Sequence, residues 1–148
     1  TMFYDNLVNA CVIMSTRKIG ALIVIERDVG LEEFMEIGIR LDAEVNTELL
    51  LSIFHTGSPL HDGATIIREG RIRAAGCILP LTQREDIDKA FGTRHRAAIG
   101  ISEITDAVAI VVSEERGHIS YAYKGELYTR LNGESLKTSL KELLRTRK

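Results

Sequence analysis

Ala21-Leu22-Ile23-Val24-Ile25 is an unbroken apolar run ending in three β-branched residues. A strand with one wet face would alternate, so this run predicts a strand covered on both sides. Val108-Ala109-Ile110-Val111-Val112 repeats the signature late in the chain. Two such strands need helices on both faces of their sheet, and the flanking sequence supplies them. Phe3, Leu7, Ala10, Cys11 and Met14 share one face of a leading helix within residues 1–19, which Gly20 stops. Leu136, Leu140, Leu143 and Leu144 give a closing helix within 133–148, with a basic tail. The expected fold is α/β, a mixed and largely buried central sheet flanked by helices, with its core in 20–131 and the whole chain as one domain.

Between these anchors the pattern is finer. A polar turn at Asp28-Val29-Gly30 leads to a partly alternating segment, Ile37 to Val45. Asn46 or Thr47 can cap a short helix carrying Leu49, Leu50, Ile53 and Phe54, which Gly57-Ser58-Pro59 ends. Ala64 to Ile67 and Ile72 to Leu79 read as a hairpin about Glu69-Gly70, closed by Pro80. Residues 82–91 are polar enough for a loop or short helix. Thr93 is a candidate cap for a helix with Ala97, Ala98, Ile101 and Ile104, and Ile119–Tyr123 pairs with Glu126–Leu131 across Gly125. No repeat, low-complexity tract or linker interrupts the chain.

Composition excludes several classes. A length of 148 residues is enough for a sizeable core, and 45% hydrophobic with 27% charged residues is ordinary for a globular protein. A net charge of −2 argues against binding a nucleic acid polymer through its backbone, so any anion site must be local. Without Trp and with scattered Tyr and Phe, no stacking platform for single strands is visible. No apolar run approaches the length of a membrane span, and no signal peptide is evident. Cys11 and Cys77 lie outside any metal or redox spacing and read as buried thiols of a reducing compartment. The first residue is Thr1 rather than Met, which suits a piece of a longer protein.

Two segments can carry chemistry. In Leu60-His61-Asp62-Gly63-Ala64 a carboxylate and an imidazole stand at the mouth of a buried strand, a donor pair suited to a divalent cation. Gly63 permits either an unusual backbone angle or close approach of a ligand. The plain alternative is a turn in which Asp62 caps local amides and His61 is merely exposed. In Gly92-Thr93-Arg94-His95-Arg96 two guanidinium groups fall in a helix's first turn, where cations are disfavoured by the helix dipole. An anion held by free amides, the Thr93 hydroxyl and forked arginines would account for them. The alternative has these side chains turned to solvent or to Glu85 and Asp86. Glu114 and Glu115 follow a buried strand and could serve a metal or act as base, or could be ordinary surface residues. His55 and His118 lack partners in the pattern and read as structural or exposed; Cys77 and Leu79 read as core.

Taken together, Leu60–Ala64, Gly92–Ala98, Ile99-Gly100-Ile101-Ser102-Glu103 and Val112-Ser113-Glu114-Glu115 closely resemble the diadenylate cyclase family, which carries Asp-Gly-Ala and Arg-His-Arg motifs at about this separation. The resemblance covers nearly all the chain from Gly20 onward. It implies a nucleotidyltransferase that condenses two ATP into cyclic di-AMP with release of two pyrophosphates, using Mg²⁺ or Mn²⁺ in a face-to-face homodimer. Carried over by motif, Asp62 would support attack by the opposing nucleotide's ribose 3′-hydroxyl and hold metal, with His61 and Glu115 as further metal ligands. Thr93, Arg94, His95, Arg96 and Ser113 would bind phosphates, with Arg94 and Glu115 also catalytic. Gly63 and Ala64 would line the nucleotide, and Leu79 would pack on adenine beside Ile78.

The chain lacks the long helical spine and DNA-binding module of the DNA-scanning relatives. It is similar instead to the soluble catalytic part of the membrane-anchored class, which implies a parent at the cytoplasmic face of the membrane with spans before Thr1. A His-Asp phosphohydrolase would need more ligands than four His provide. A silent nucleotide-binding regulator is the other alternative, with the intact motifs against it. One copy of each motif cannot cyclise two nucleotides symmetrically within a subunit, which calls for a twofold partner.

Overall fold

The computed structural model describes residues 2–145. Five helices and seven strands follow in the order α1 (Met2–Arg17), β1 (Ala21–Ile25), α2 (Glu32–Ile37), β2 (Ile39–Glu44), α3 (Thr47–Phe54), β3 (Ala64–Arg68), β4 (Arg71–Cys77), α4 (Thr93–Ile104), β5 (Val108–Val112), β6 (Ile119–Tyr123), β7 (Glu126–Leu131) and α5 (Gly133–Arg145). The last three residues of the expected closing helix, 146–148, lie outside the described residues.

All seven strands form one sheet in the order β2-β4-β3-β1-β5-β6-β7. The opening apolar run, β1, is the central strand and every residue of it is buried. It runs parallel to β3 and antiparallel to β5, so the sheet is mixed. Alternate strand residues feed two cores. Ile23, Ile25, Ile110 and Val112 pack with Leu7, Met14, Ile53 and Leu140 of α1, α3 and α5. Leu22, Val24, Ala109 and Val111 pack with Met35 of α2 and with Ala98 and Ile101 of α4. Helices therefore cover both faces, which is why the two central runs carry no polar alternation.

Two local expectations need correction, and one element, the helix at residues 32–37, is new; at six residues, burying Met35 alone, α2 is too short to show a period. The following strand starts at Ile39, not Ile37, and as the sheet's edge it leaves Ile39 exposed and slips register between Arg40 and Ala43. The cap of α4 is Gly92, in extended backbone, with Thr93 as the first helical residue and no side-chain cap bond. The cap of α3 is as expected: Asn46 Oδ1 accepts from the Leu49 amide at 3.1 Å.

Residues 78–92 have no regular structure beyond turns but are pinned to α4. The Thr82 amide donates to the Arg96 carbonyl at 3.0 Å, and its hydroxyl donates to Glu103 at 2.7 Å. Gly100 permits this packing, since a Cβ there would meet the Pro80 carbonyl oxygen at 2.1 Å. Both thiols are free and buried. Desolvation pushes Cys11 up to about 12 and Cys77 to about 11, so both stay protonated.

Candidate active site

Strand register decides what meets at one end of the sheet. Ala21 lies opposite Val112, so the start of β1 and the end of β5 coincide. Because β3 runs parallel to β1, the segment entering β3 arrives at that same end, and Ala64 opposite Cys77 brings the end of β4 there too. Val112 opposite Ile119, and Ile119 opposite Leu131, add the start of β6 and the end of β7. Gly20, Asp62, Leu79, Ser113 and Glu115 thus share one rim, and the N-terminus of α4 reaches it.

A cavity of about 500 Å³ at this rim has an apolar wall of Leu22, Leu79, Leu81 and Ala97. Asp62, Gly63, Thr93, Arg94 and Glu114 line it as well. Thr93, Arg94 and Glu114 also line an adjoining cavity of about 280 Å³, where Gly92, His95, Ser113 and Glu115 join them. The two motifs, about thirty residues apart in sequence, therefore face one space.

Arg94 is the hinge between the two cavities. Its Nη1 donates to Glu114 Oε1 at 2.7 Å, while its buried Nε has no partner. This answers part of the puzzle of cations in the first turn of α4: Arg94 is neither free in solvent nor paired with Glu85 or Asp86, the latter being held by Arg84. The pair occupies space that Gly20 leaves open, since a Cβ at Gly20 would lie 2.5 Å from Arg94 Nη1 and 3.0 Å from Glu114 Oε1. Gly20 thus shapes the Arg94–Glu114 pair although no motif singled it out, and Glu114 pairs with Arg94 rather than standing as an ordinary surface residue. The sequence signal for Gly20 was a glycine directly before the central strand.

His95 is 7% exposed, and its ring stacks on Phe91 with centroids 4.6 Å apart. Burial, then the neighbouring charge of Arg94 and of His118, lowers it to about 4, so it is neutral at pH 7 and carries one N–H to donate. Arg96 does not line these cavities; its Nη2 reaches the Asp88 carbonyl at 3.4 Å. Ala64 is fully buried and belongs to the core. Gly63 has φ +108°, and a Cβ on it would lie 2.7 Å from the Cys77 carbonyl oxygen. The glycine is therefore required by the chain's own backbone, the first of the two alternatives its sequence left open.

A divalent cation can be tested against these donors. Among the described residues no three His, Cys, Asp or Glu side chains converge as a metal cage. An ion here would take one or two protein ligands and complete its shell with phosphate and water oxygens, as Mg²⁺ commonly does. His61 suits such a part: its Nδ1 lies 2.6 Å from the Ser58 carbonyl oxygen, which accepts the ring proton and leaves Nε2 as the free donor atom. Asp62 and Glu115 stand on different cavities, so the expected trio is not preassembled.

A buried mixed sheet with a carboxylate and a helix start on one rim defines an α/β protein whose rim is suited to a phosphorylated ligand. Residues 8–127 match the family model described as DisA bacterial checkpoint controller nucleotide-binding. The chain belongs to that family. It is 52% identical over 127 residues to the cyclic di-AMP synthase CdaA of Bacillus subtilis, covering 86% of this chain and 46% of the relative. A diadenylate cyclase of Listeria monocytogenes is 49% identical over 132 residues, 88% of this chain and 48% of the relative. The chain thus spans about half the length of these curated relatives. The crystal structure of a double mutant of DacA from Staphylococcus aureus superposes with a TM-score of 0.94 at 43% identity, over 96% of this chain and 95% of that one.

Proposed function

We propose that this chain is a diadenylate cyclase catalytic domain that condenses two ATP into cyclic di-AMP and two pyrophosphates across a face-to-face homodimer. The observation that carries the reading is the shared rim, where Asp62 and Arg94 line one cavity and Arg94, His95 and Ser113 line the next. The apolar wall about Leu79 has the character of an adenine seat, and Thr93 and Arg94 line the same cavity. Curated relatives bearing the activity's name over 86% and 88% of this chain support the same reading.

Each subunit presents its ATP with the α-phosphorus toward the partner. The 3′-hydroxyl oxygen of one ribose attacks the other's α-phosphorus, and the bond from that phosphorus to the pyrophosphate oxygen breaks. Asp62 takes up the hydroxyl proton or orients the hydroxyl. Arg94, His95, Ser113 and the free amides of α4 hold the phosphates, and Arg94 meets the charge that gathers on the leaving group. His61, Asp62 and Glu115 are the residues from which the one or two protein ligands of a Mg²⁺ or Mn²⁺ would come, an ion that when bound supplies further neutralisation of phosphate charge. Repetition with the roles exchanged closes the ring.

The parent is proposed to be membrane-anchored, its activity at the cytoplasmic face. No helix among the described residues is long and apolar enough to span a membrane. A related Bacillus cereus structure, with 48% identity and a TM-score of 0.82, is described as a hypothetical membrane spanning protein, and this chain covers 62% of it. A parent gene without apolar spans upstream would remove this part. Incubating the chain with ATP and Mn²⁺ and separating the products tests the activity: cyclic di-AMP is expected. ATP binding without product would point to a silent regulator, and AMP or ADP to a hydrolase.

A further inference from the structure

Leu79 and Leu81 of the apolar wall belong to a segment without regular structure that burial alone does not fix. Leu79 is 7% exposed, but Ile78 before it and Leu81 after Pro80 are 66% and 43% exposed. What holds the segment is the second half of α4, Ile99-Gly100-Ile101-Ser102-Glu103, a stretch with no part in the chemistry proposed above. We infer that Gly100, Thr82 and Glu103 are positioning residues: they clamp the segment 79–84 to α4 and so fix the wall on which the nucleobase rests, a ligand this inference takes from the proposed function.

The clamp grips at two places. At Gly100 the helix has no side chain, and the Pro80 carbonyl oxygen takes the space where a Cβ would stand. Pro80 lies between Leu79 and Leu81, and Ala97, three residues before Gly100 on the same helix face, lines the cavity with both leucines. The spacing of the wall from α4 is therefore set by backbone against backbone. At Thr82, which is 6% exposed, the amide donates to the Arg96 carbonyl at 3.0 Å and the hydroxyl donates to Glu103 Oε2 at 2.7 Å.

Glu103 stands in the last turn of α4, where the negative end of the helix dipole disfavours an acid. Like the arginines of the first turn it is placed against the dipole, and the group it meets is the Thr82 hydroxyl. A second route ties the segment to the same helix. Arg84 Nη1 donates to the Gly125 carbonyl at 2.6 Å, and the Gly125 amide donates to the buried Ser102 hydroxyl at 3.0 Å. These contacts lie on the far side of the wall from the cavity and act on a ligand only through Leu79 and Leu81.

The clamp is tested by calorimetric titration of a non-hydrolysable ATP analogue, by the dependence of cyclic di-AMP formation on ATP concentration, and by hydrogen exchange without ligand. Thr82→Val, Glu103→Leu and Gly100→Ala are expected to weaken the analogue and raise KM by about tenfold, with kcat changed by less than about twofold. A merely structural role would instead lower the folded fraction, and hence kcat, at unchanged KM. Thr82→Ser and Glu103→Gln keep the donor and the acceptor and should bind the analogue as wild type does. Exchange at the Thr82 amide should quicken in Thr82→Val and Glu103→Leu but not in the two conservative variants. Disrupting variants that all keep the analogue's affinity, or conservative variants that lose it equally, overturn the inference. Wild-type protein that makes no cyclic di-AMP sinks the cyclase reading alone, because the titration and the exchange still decide the clamp.

Discussion

Arg94 shows how a single residue reads differently as a letter and as a side chain. Its place in the first turn of α4 opposes the helix dipole, and the fold offsets this with Glu114 at 2.7 Å while leaving Nε unpaired. Arg94→Ala should weaken ATP binding by about 1.5–3 kcal/mol, the range for a lost charge-assisted hydrogen bond, measured by titration with a non-hydrolysable analogue. Gly20→Ala acts on the same group from behind. Its Cβ would lie 2.5 Å from Nη1, so the guanidinium must shift; product formation should drop while the melting temperature changes little. An unaltered rate would show that the Arg94–Glu114 geometry does not matter. The Asp-Gly-Ala and Arg-His-Arg letters were legible in the sequence, but the reason for Gly20 was not, because its contacts are made by residues more than seventy positions away.

At the scale of elements, the long patterned segments were readable and the short ones were not. β1 and β5 announce burial by their unbroken runs, and α1 by its face. α2 is a single buried methionine on six residues, with no period to detect. The cap of α4 is Gly92 rather than Thr93, because a glycine in extended backbone can precede a helix without any side-chain bond. Of the expected nucleotide contacts, Arg96 and Ala64 fall away from the cavities for a related reason: a motif marks neighbours in sequence, whereas helix and strand geometry turns alternate neighbours elsewhere.

α4 also carries a pH signature. His95 is held near 4, against 6.5 for an unfolded imidazole. Above 6.5 both states are neutral and the fold is favoured fully. As pH falls below 6.5 the unfolded chain gains a proton that the folded one refuses, so stability declines toward pH 4, by on the order of 3 kcal/mol at the lower end. Urea unfolding of wild type and His95→Gln across this range should show the decline in wild type and a flatter profile in the variant. Parallel profiles would mean His95 is not held neutral. At the turn before β3, Gly63→Ala is expected to cost at least 1–3 kcal/mol, roughly the strain of a forced backbone, with the Cys77 carbonyl contact in addition.

For the whole molecule, the decisive fact is that the sheet brings one copy of each motif to one rim. Antiparallel pairing of β1 with β5 and parallel pairing with β3 bring Asp62 and the start of α4 to that end. The proposed chemistry, which joins two identical nucleotides twice, would then need a second rim, as a twofold pair of chains would supply. Activity per chain should therefore rise with protein concentration until the pair is saturated, a dependence that a self-contained site would lack. The measurement that bears most directly on this account is the product of ATP and Mn²⁺ with wild-type chain and with Asp62→Asn, followed by chromatography at high protein concentration. The account predicts cyclic di-AMP from wild type, and none from the variant although it still binds ATP; no dinucleotide from wild type, or full activity in Asp62→Asn, would contradict it.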